Sequence, residues 1–404
     1  MKILVTNCGS SSLKCKLFDM ESGKVLAKSV VNKIGNKAAE VKLIFWEKEE
    51  FSETAAVESH DKALKLVIKR LTDKECSVLS SLEEIDAVGH RVVHGGTIFK
   101  GPALVNKRVK RAIEKLIKLA PLHNGPALKG IKACEKLLPD VPQVAVFDTA
   151  FHQTLPRHAY LYSIPYEFYE KYKIRKFGFH GISHKYVSIR ASELLGKPLK
   201  KLKLITCHLG NGASVCAIKG GKSIDTSMGF TPLEGLTMGT RCGDIDPAIV
   251  AFIMEKEQMT VDEVGDFLNR KCGVLGLSGI SNDFRDIERE AFKGSKRAVI
   301  ALEVFIYDVK RYIGAYVGIL NGIDALIFTA GLGENSPLVR SQICKNLSYL
   351  GLEIDPHKNF ELREGERIIS KESSKPIMVI PTDEEYMVAL DTKQVLKQPV
   401  RSFA

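Results

Sequence analysis

The fold is decided by the amino-terminal stretch Lys2-Ile-Leu-Val-Thr-Asn-Cys-Gly-Ser-Ser-Ser-Leu-Lys-Cys-Lys-Leu-Phe18. Its apolar runs predict two strands, Lys2–Thr6 and Leu13–Phe18, and the small polar residues between them predict a tight turn. A further turn around Gly23 leads into a third strand that begins at Lys24. The chain therefore opens with consecutive β-hairpins.

The same order of elements returns half a chain later in Leu204-Ile-Thr-Cys-His-Leu-Gly-Asn-Gly-Ala-Ser-Val-Cys-Ala-Ile218. A shift of 201 positions places Gly9 on Gly210, Cys15 on Cys216 and Leu17 on Ile218. One hairpin of this kind is common, but two at this separation indicate a duplicated unit, with one copy in each domain.

Strand-like and helix-like segments alternate in the rest of the chain. Apolar runs predict strands at Ile85–Val93, Val144–Phe147 and Ala325–Thr329, and apolar residues at helical spacing predict helices at Val109–Leu119 and Ala298–Leu320. This alternation is typical of α/β layers. The spacing Thr382-x-x-Glu385 is that of a capping box and predicts that a carboxy-terminal helix begins there.

Composition excludes several classes of protein. The chain has 404 residues, enough for two domains, and 45% are hydrophobic, which excludes a disordered or collagen-like chain. The net charge of +11 favours anionic partners, but the cations are scattered and there is one Trp, so we predict no nucleic-acid binding. The nine cysteines include no Cys-x-x-Cys pair, and no apolar run is long enough for a signal peptide or a membrane span. We therefore expect a cytoplasmic protein without a membrane partner.

Three glycine-containing turns that follow predicted strands are candidate phosphate-binding loops. They lie at Asn7–Lys14, His208–Gly212 and Gly331–Asn335, and small residues there let several backbone N–H groups converge on an anion. None of them matches a Walker loop or a dinucleotide-binding fingerprint. Each alone is typical of an ordinary hairpin, but the three together favour nucleotide binding in a cleft between two domains.

Charged residues at strand ends and turns are candidates for binding a metal ion or an anion. Asp148 follows an apolar strand, where its carboxylate suits a Mg²⁺ site, although a turn-forming Asp is the alternative. The acidic run Asp383–Glu385 lies at a predicted helix start, and the capping box and the helix dipole account for it. Arg91 and Arg241 lie among glycines, and a guanidinium held there suits a carboxylate or a phosphate, with a surface ion pair as the alternative.

Two histidine pairs, His90 with His94 and His180 with His184, have the i, i+4 spacing that binds zinc on a helix. Neither pair contains the Glu of a His-Glu-x-x-His motif, and both adjoin glycines. A metallohydrolase is therefore disfavoured.

These segments resemble the acetate kinase family, which belongs to a superfamily with sugar kinases, heat-shock chaperones and actin. The matching segments occur in family order over nearly the whole chain: Asn7–Lys14, Gly89–Gly96, Pro121–Pro126, Val146–His152, Gly178–His184, Cys207–Gly212, Met238–Pro247, Asp283–Arg285, Phe328–Asn335 and Pro381–Glu385. So many motifs in the same order make the resemblance specific.

The resemblance implies a role for each matching position. Three residues would be catalytic: Asp148, His180 and Arg241. Two would hold Mg²⁺, with Mn²⁺ as the alternative ion: Asn7 and Glu384. Arg91 would bind the acetate carboxylate, and a small pocket for the acetate methyl group would be formed by Val93, Leu122, Phe179 and Pro232. The remaining matches would bind ATP: Lys14, His208, Leu209, Gly210, Asn211, Gly212, Asp283, Phe284, Arg285, Gly331, Leu332, Gly333, Glu334 and Asn335.

The resemblance also implies an α/β fold of two duplicated actin/ribonuclease-H-like domains with a central interdomain cleft. The expected amino-terminal domain comprises residues 1–150 and 386–404, because the last helix crosses back, and the expected nucleotide-binding domain comprises 151–385. The implied reaction is a reversible, Mg-dependent, in-line transfer from ATP to acetate that gives acetyl phosphate and ADP. Family members are typically homodimers.

Three alternatives stay open at this point. Propionate or butyrate could be the better acceptor within the same chemistry, since one methylene changes binding by only ~1–3 kcal/mol. An ATP-driven binding switch would lack a pocket for a small carboxylate, and a nucleic-acid binder would have only the net charge in its favour. Two positions depart from the family pattern, Cys8 in place of Ala and Cys242 in place of Ser. We expect the Cys242 thiol, beside Arg241, to have a lowered pKa.

Overall fold

The computed structural model describes residues 1–36, 38–45, 50–73, 78–361 and 364–397. The chain folds into two compact units, one formed by Met1–Phe151 with Asp383–Ala404 and the other by His152–Thr382. Each unit contains one sheet with helices packed on it, so the predicted α/β class is confirmed. The family domain boundaries at 150 and 385 stay a prediction.

The sheet of the first unit has eight strands. They are β1 (Lys2–Cys8), β2 (Ser12–Asp19), β3 (Lys24–Asn32), β4 (Ala39–Phe45), β5 (Glu50–Ala55), β6 (Ala87–Val92), β7 (Ala103–Leu104) and β8 (Gln143–Phe147). Their order in the sheet is β5-β4-β3-β2-β1-β6-β8-β7. The strands β1 to β5 form an antiparallel meander, whereas β1, β6 and β8 run parallel. Among the first unit's described residues before position 151, three α-helices occur: α1 (His60–Leu71), α2 (Lys107–Lys115) and α3 (Pro121–Leu137).

The second unit has six strands and most of the helices. In chain order its elements are α4 (Arg157–Tyr160), α5 (Tyr166–Tyr172), α6 (Gly181–Leu194), β9 (Lys203–Leu209), β10 (Ala213–Lys219), β11 (Lys222–Thr226), α7 (Pro247–Glu257), α8 (Val261–Arg270), α9 (Gly273–Ser278), α10 (Phe284–Phe292), α11 (Lys296–Leu320), β12 (Ala325–Thr329), α12 (Ala330–Asn335), α13 (Pro337–Cys344), α14 (Pro356–Phe360), β13 (Arg367–Ile368) and β14 (Ile377–Val379). The sheet order is β11-β10-β9-β12-β14-β13.

The two sheets share a five-stranded core. In the first unit it is β3-β2-β1-β6-β8 and in the second β11-β10-β9-β12-β14, each an antiparallel meander followed by two parallel strands. Ile3 pairs with Ala87, and Leu204, 201 positions later than Ile3, pairs with Ala325 at the equivalent place. The predicted duplication is therefore confirmed.

The predicted alignment of the second hairpin strand is wrong by one residue. Ile3 faces Phe18, whereas Leu204 faces Ile218, so Ile218 corresponds to Phe18 and not to Leu17. In the same way, Cys216 does not correspond to Cys15. The cause is the turn: Cys8 pairs with Leu13 in the first hairpin, but Leu209 pairs with Ala213 in the second, so the second turn is one residue shorter.

The last helix, α15 (Glu384–Lys397), belongs to the first unit and packs directly on β6. A β-carbon at Gly89 would lie 2.6 Å from Thr392 Oγ1 and 2.8 Å from Val388 Cγ1, so a glycine is needed for this close approach. The predicted helix is confirmed, but its predicted capping box is wrong. The Asp383 carboxylate accepts the Tyr386 backbone N–H at 3.0 Å, and the Thr382 hydroxyl instead donates to Ser183 Oγ at 2.8 Å.

Among the helices in the described ranges, none has both the length and the apolar character needed to cross a lipid bilayer.

Candidate active site

The first unit brings together one arginine and two carboxylates. Arg91 lies near the end of β6 and Asp148 directly follows β8, and because these strands are parallel neighbours their carboxyl ends lie at the same edge of the sheet. Arg91 Nη2 donates to Asp148 Oδ2 at 2.7 Å, and Arg91 Nε lies 3.3 Å from Glu384 Oε2, at the start of α15. The Asp148 side chain is 1% exposed. Burial alone would lower the pKa of Arg91, but the charges of Asp148 and Glu384 hold that pKa above its ordinary value.

The turn after β6 is fixed by side chains that the sequence analysis did not identify. Asn124 on α3 accepts the His94 backbone N–H at 3.0 Å and donates to the His94 carbonyl at 2.9 Å. The hydroxyl of Thr149 accepts the Gly95 N–H at 2.9 Å. Because Thr149 follows Asp148, these contacts link the Arg91 turn to the Asp148 segment. Both residues lie in motifs quoted above, so the motifs contain scaffold positions as well as candidate ligands.

Asn7 and Lys14 face each other in the register of β1 and β2. Lys14 is exposed. Burial raises the pKa of Glu385, but the charge of Lys16, with a smaller effect from Lys14, holds that pKa below its ordinary value. The main partner of Glu385 is Lys16, whose Nζ lies 3.2 Å from Glu385 and 3.0 Å from Asp383. The acidic run at the start of α15 is therefore only partly a helix cap, because each of its members also pairs with a cation of the first unit.

The second unit brings His180 and Arg241 to one backbone position. A β-carbon at Gly212 would lie 3.3 Å from Arg241 Nη1 and 3.5 Å from His180 Nε2, so both side chains point at the turn between β9 and β10. Arg241 Nη1 also donates to the Pro232 carbonyl at 3.3 Å, and burial lowers the pKa of Arg241. His180 stacks on His208 with 4.1 Å between the ring centroids.

The expectation of an acidic thiol at Cys242 is wrong. Burial raises the pKa of Cys242 to about 11, and the nearby Cys272 thiol acts in the same direction. The Cys242 thiol donates to the Gly243 carbonyl at 3.2 Å. The adjacent guanidinium of Arg241 therefore does not activate this thiol.

A cavity of about 530 Å³ in the second unit collects most of the residues predicted to bind ATP. Its lining comprises Gly210, Asn211, Asn282, Asp283, Phe284, Arg285, Glu288, Gly331, Leu332, Asn335 and Ser336. Asn282, Glu288 and Ser336 were not predicted. The volume suits a nucleoside, since ligand pockets typically hold about 300–1,000 Å³.

Close packing shapes one wall of this cavity. A β-carbon at Gly239 would lie 1.7 Å from Asn211 Oδ1, and the Gly239 N–H donates to the Asn211 carbonyl at 2.9 Å. Only glycine at 239 therefore allows Asn211 its position at the cavity. On another wall, Asp283 caps α10 by accepting the Arg285 N–H at 2.9 Å, and the Arg285 side chain lowers the pKa of Asp283 to about 2.

The third predicted glycine turn is a short helix, α12, and not a turn. It begins at Ala330, whose φ of 64° lies in the left-handed region that disfavours alanine. The Glu334 carboxylate accepts the Ala330 N–H at 2.8 Å and the Thr382 N–H at 3.2 Å. The fully buried Arg340 donates to the carbonyls of Gly333 and Glu334, each at 2.9 Å. Gly333 and Glu334 therefore make hydrogen bonds that stabilise α12 and its surroundings. Leu209, which was also predicted to bind ATP, is buried in β9.

The four residues predicted to contact the acetate methyl group lie in different units. Leu122, on α3, is 55% exposed, and Val93 follows β6. Phe179 is buried beside His180, and Pro232 is the residue whose carbonyl Arg241 contacts. Their joint role as a pocket stays a prediction.

The histidine pairs do not form zinc sites. His90 lies on a strand, where its nitrogens contact Thr6 Oγ1 at 2.7 Å and Gln143 Oε1 at 2.6 Å. His184 contacts Thr206 and Ser214 in the same way. Within the described residues, no group of three or more His, Cys, Asp or Glu side chains is arranged to hold a metal ion.

Comparison with known proteins identifies the family. The model of the acetokinase family matches residues 2–390. The acetate kinase of Desulfitobacterium hafniense is 58% identical over 398 residues, which cover 98% of this chain and 100% of the relative. The chain belongs to the acetokinase family. The predicted resemblance is thus confirmed, and so is the prediction that the chain is a kinase.

Solved structures of acetokinase relatives agree with this assignment. The acetate kinase of Porphyromonas gingivalis superposes with a TM-score of 0.94 at 46% identity, covering 98% of this chain and 100% of that structure. A propionate kinase from Francisella tularensis superposes with a TM-score of 0.90 at 42% identity, covering 97% and 99%. As an acetokinase, the chain uses a nucleotide as its phosphoryl donor.

Proposed function

We propose that the chain catalyses reversible phosphoryl transfer from ATP to acetate, giving acetyl phosphate and ADP. The observation that carries the proposal is end-to-end similarity to a protein named acetate kinase, in a chain whose Arg91 guanidinium is held by two carboxylates. Acetate has a carboxyl pKa near the usual range of about 4, so it is ionised at neutral pH and needs no general base. The chemical difficulty is to bring one anion to another.

Positively charged side chains would offset the repulsion between the acetate anion and the phosphates. Arg91 binds the acetate carboxylate in this proposal, and His180 and Arg241 donate to the phosphoryl group during transfer. The convergence of His180 Nε2 and Arg241 Nη1 on the Gly212 backbone supports a shared role for these two side chains. Asp148 orients Arg91 through the 2.7 Å hydrogen bond and does not abstract a proton. The small apolar pocket would be made by Val93, Leu122, Phe179 and Pro232.

The nucleotide would occupy the cavity between Asn211, Asp283 and Leu332, with its phosphates toward the glycine loops. Lys14 would add a positive charge for the phosphates. Exposure of Arg285, whose side chain is 87% accessible, suits contact with the rim of the bound nucleotide.

A divalent cation fits the residues proposed to hold it. Asn7 offers an amide oxygen and Glu384 a carboxylate, and Mg²⁺ prefers oxygen ligands of this kind together with phosphate oxygens and water. Mn²⁺ accepts the same ligands. When bound, the ion would neutralise phosphate charge. We further propose that the protein is a cytoplasmic homodimer, as the family resemblance implies. Light scattering of the purified protein would test whether it is a dimer.

A second acceptor deserves the same test, because a propionate kinase superposes closely on this chain. One additional methylene changes discrimination by only ~1–3 kcal/mol, so activity toward both acids is compatible with one pocket.

The deciding experiment traps acyl phosphate with hydroxylamine in reactions that contain ATP, Mg²⁺ and either acetate, propionate or butyrate. We expect hydroxamate formation to be fastest with acetate and to stop when EDTA removes the metal. Fastest turnover with propionate would transfer the assignment to that acid. If ATP is hydrolysed equally fast with and without a carboxylic acid, and no hydroxamate forms, carboxylate phosphorylation is refuted.

A further inference from the structure

His180 is held in an unfavourable backbone conformation. It directly precedes α6 with φ 54° and ψ 22°, in the left-handed region that is unfavourable for a residue with a β-carbon. Such strain persists only where the surrounding contacts impose it, and it is frequent at functional positions. The 4.1 Å stack on His208 restricts the ring from one side. His208 is itself held through Nδ1, which shares a hydrogen bond of 2.8 Å with Ser183 Oγ.

A chain of buried polar side chains reaches His180 from the sheet. His180 Nδ1 and Ser214 Oγ on β10 are 2.9 Å apart, and Ser214 Oγ lies 2.8 Å from His184 Nε2 on α6. The other nitrogen of His184, Nδ1, lies 2.7 Å from Thr206 Oγ1 on β9. Ser214, His184 and Thr206 are all fully buried.

Which group donates and which accepts in each of these hydrogen bonds follows from counting protons. Burial lowers the pKa of His184 well below its ordinary value, so its ring is neutral and has one donor and one acceptor nitrogen. The buried Thr206 hydroxyl needs an acceptor for its proton, and among the contacts of the described residues that acceptor is His184 Nδ1. His184 Nε2–H must then donate to Ser214 Oγ, and the Ser214 hydroxyl must donate to His180 Nδ1.

We propose that Thr206, His184 and Ser214 are positioning residues that leave His180 Nδ1 as a hydrogen-bond acceptor and so keep the ring proton on Nε2, the nitrogen that faces Gly212 beside Arg241. The chain thereby selects the tautomer that can donate to an anion at this turn. The inference rests on the proposed function for its catalytic meaning, since His180 is there assigned to the transferring phosphoryl group. The tautomer itself is a property of the resting protein.

The first test measures the tautomer directly. Full-length protein labelled with ¹⁵N-histidine is examined by NMR, and the His180 signals are assigned from their loss in His180→Gln. We expect the wild type to show a protonated Nε2 and an unprotonated Nδ1. Ser214→Ala and Thr206→Val should each produce a mixture of tautomers, while Thr206→Ser, which keeps the hydroxyl, should restore the wild-type signals.

The second test measures turnover. Loss of the hydrogen-bond partner that orients a metal-ligating histidine typically costs about 10–100-fold, and by analogy we expect a fall in kcat of about this size for Ser214→Ala and Thr206→Val. The KM values for both substrates should change little, because the defect lies in presenting a donor to the reacting group. Ser188→Ala is the matched control. It removes a buried hydroxyl of α6 that donates to the Lys185 carbonyl at 2.8 Å and takes no part in the hydrogen bonds that lead to His180. It should keep wild-type kcat and tautomer.

A protonated Nδ1 in the wild type, or an unchanged His180 tautomer in Ser214→Ala, would overturn the inference. Circular dichroism and thermal melts establish that each variant is folded, and Thr206→Ser provides a folded comparison. Failure of the proposed function has a different signature. In that case His180→Gln would keep full turnover while the NMR signals still followed the hydroxyl substitutions.

Discussion

Replacement of Asp148 by Asn tests the charge arrangement around Arg91. Asparagine keeps the shape of the side chain but removes the charge that accepts Arg91 Nη2 at 2.7 Å, leaving Arg91 with Glu384 at 3.3 Å. A hydrogen bond between charged partners contributes about 1.5–3 kcal/mol to stability. One kcal/mol shifts the melting temperature of a folded unit of this size by about 2–4 °C, so we expect a decrease of roughly 3–12 °C.

The same substitution should affect catalysis more strongly than stability. Without Asp148, the guanidinium of Arg91 is drawn toward Glu384 alone and is no longer oriented for a substrate carboxylate. Loss of one correctly placed charged donor costs about 10²–10³ in kcat. The hydroxamate assay measures turnover and differential scanning fluorimetry measures the melting temperature. Asp86→Asn is the control, because Asp86 accepts the Lys2 backbone N–H in the same unit and should leave turnover unchanged. Turnover close to wild type in a folded Asp148→Asn protein would refute the role given to Arg91 and Asp148.

Four further substitutions have defined outcomes. Arg241→Ala should lose about 10²–10³ in kcat in the hydroxamate assay, and His123→Ala should lose less; near-wild-type turnover of Arg241→Ala would contradict its assignment. Gly239→Ala should displace Asn211 and raise the KM for ATP by about 10–10²-fold while leaving the KM for acetate unchanged; equal effects on both would place the disturbance elsewhere. His90 has its pKa lowered by burial from 6.5 to about 4, so the unfolded chain binds its proton at a higher pH than the folded protein does. Its contribution to stability is complete above pH 6.5 and is lost at about 1.4 kcal/mol per pH unit as the pH falls toward 4. Urea titrations at several pH values should therefore give a shallower pH dependence for His90→Gln, and an unchanged slope would show that His90 is charged in the folded state.

Local sequence patterns predicted the elements whose signals are short-range. Apolar runs predict β1, β2 and β8, whose side chains are mostly buried, and helical spacing predicts α11, which buries one face. In β4 every second side chain is buried, so alternation would identify this strand, which the sequence analysis does not predict.

The errors arose where a choice depended on tertiary contacts. Thr382 has the spacing of a cap, but its hydroxyl is used by Ser183 and the adjacent Asp383 caps α15 instead. The repeat was aligned on its cysteines, although a turn shortened by one residue moves Cys216 out of register with Cys15. Neither the choice of capping side chain nor the length of the second turn can be predicted from residue spacing alone.

The candidate site was predicted in its charged and glycine positions but not in its hydrogen-bonded support. Arg91 and Asp148 are recognisable from motifs, whereas Asn124, Thr149 and Ser214 became apparent only from their contacts. Small polar residues in buried strands and helices have no periodic signature. Their function depends on which neighbour the register places opposite them, and that requires the folded chain.

The position of α15 at the end of the first unit's sequence has a consequence for folding during synthesis on the ribosome. The first eight strands emerge early, yet the helix that covers Gly89 and brings Glu384 to Arg91 is synthesised after the whole second unit. Domains generally fold as their residues leave the exit tunnel, so the second unit can complete its structure while the first still waits for its final helix. While the second unit is being synthesised, the face of β6 that α15 will cover therefore stays exposed in the nascent chain.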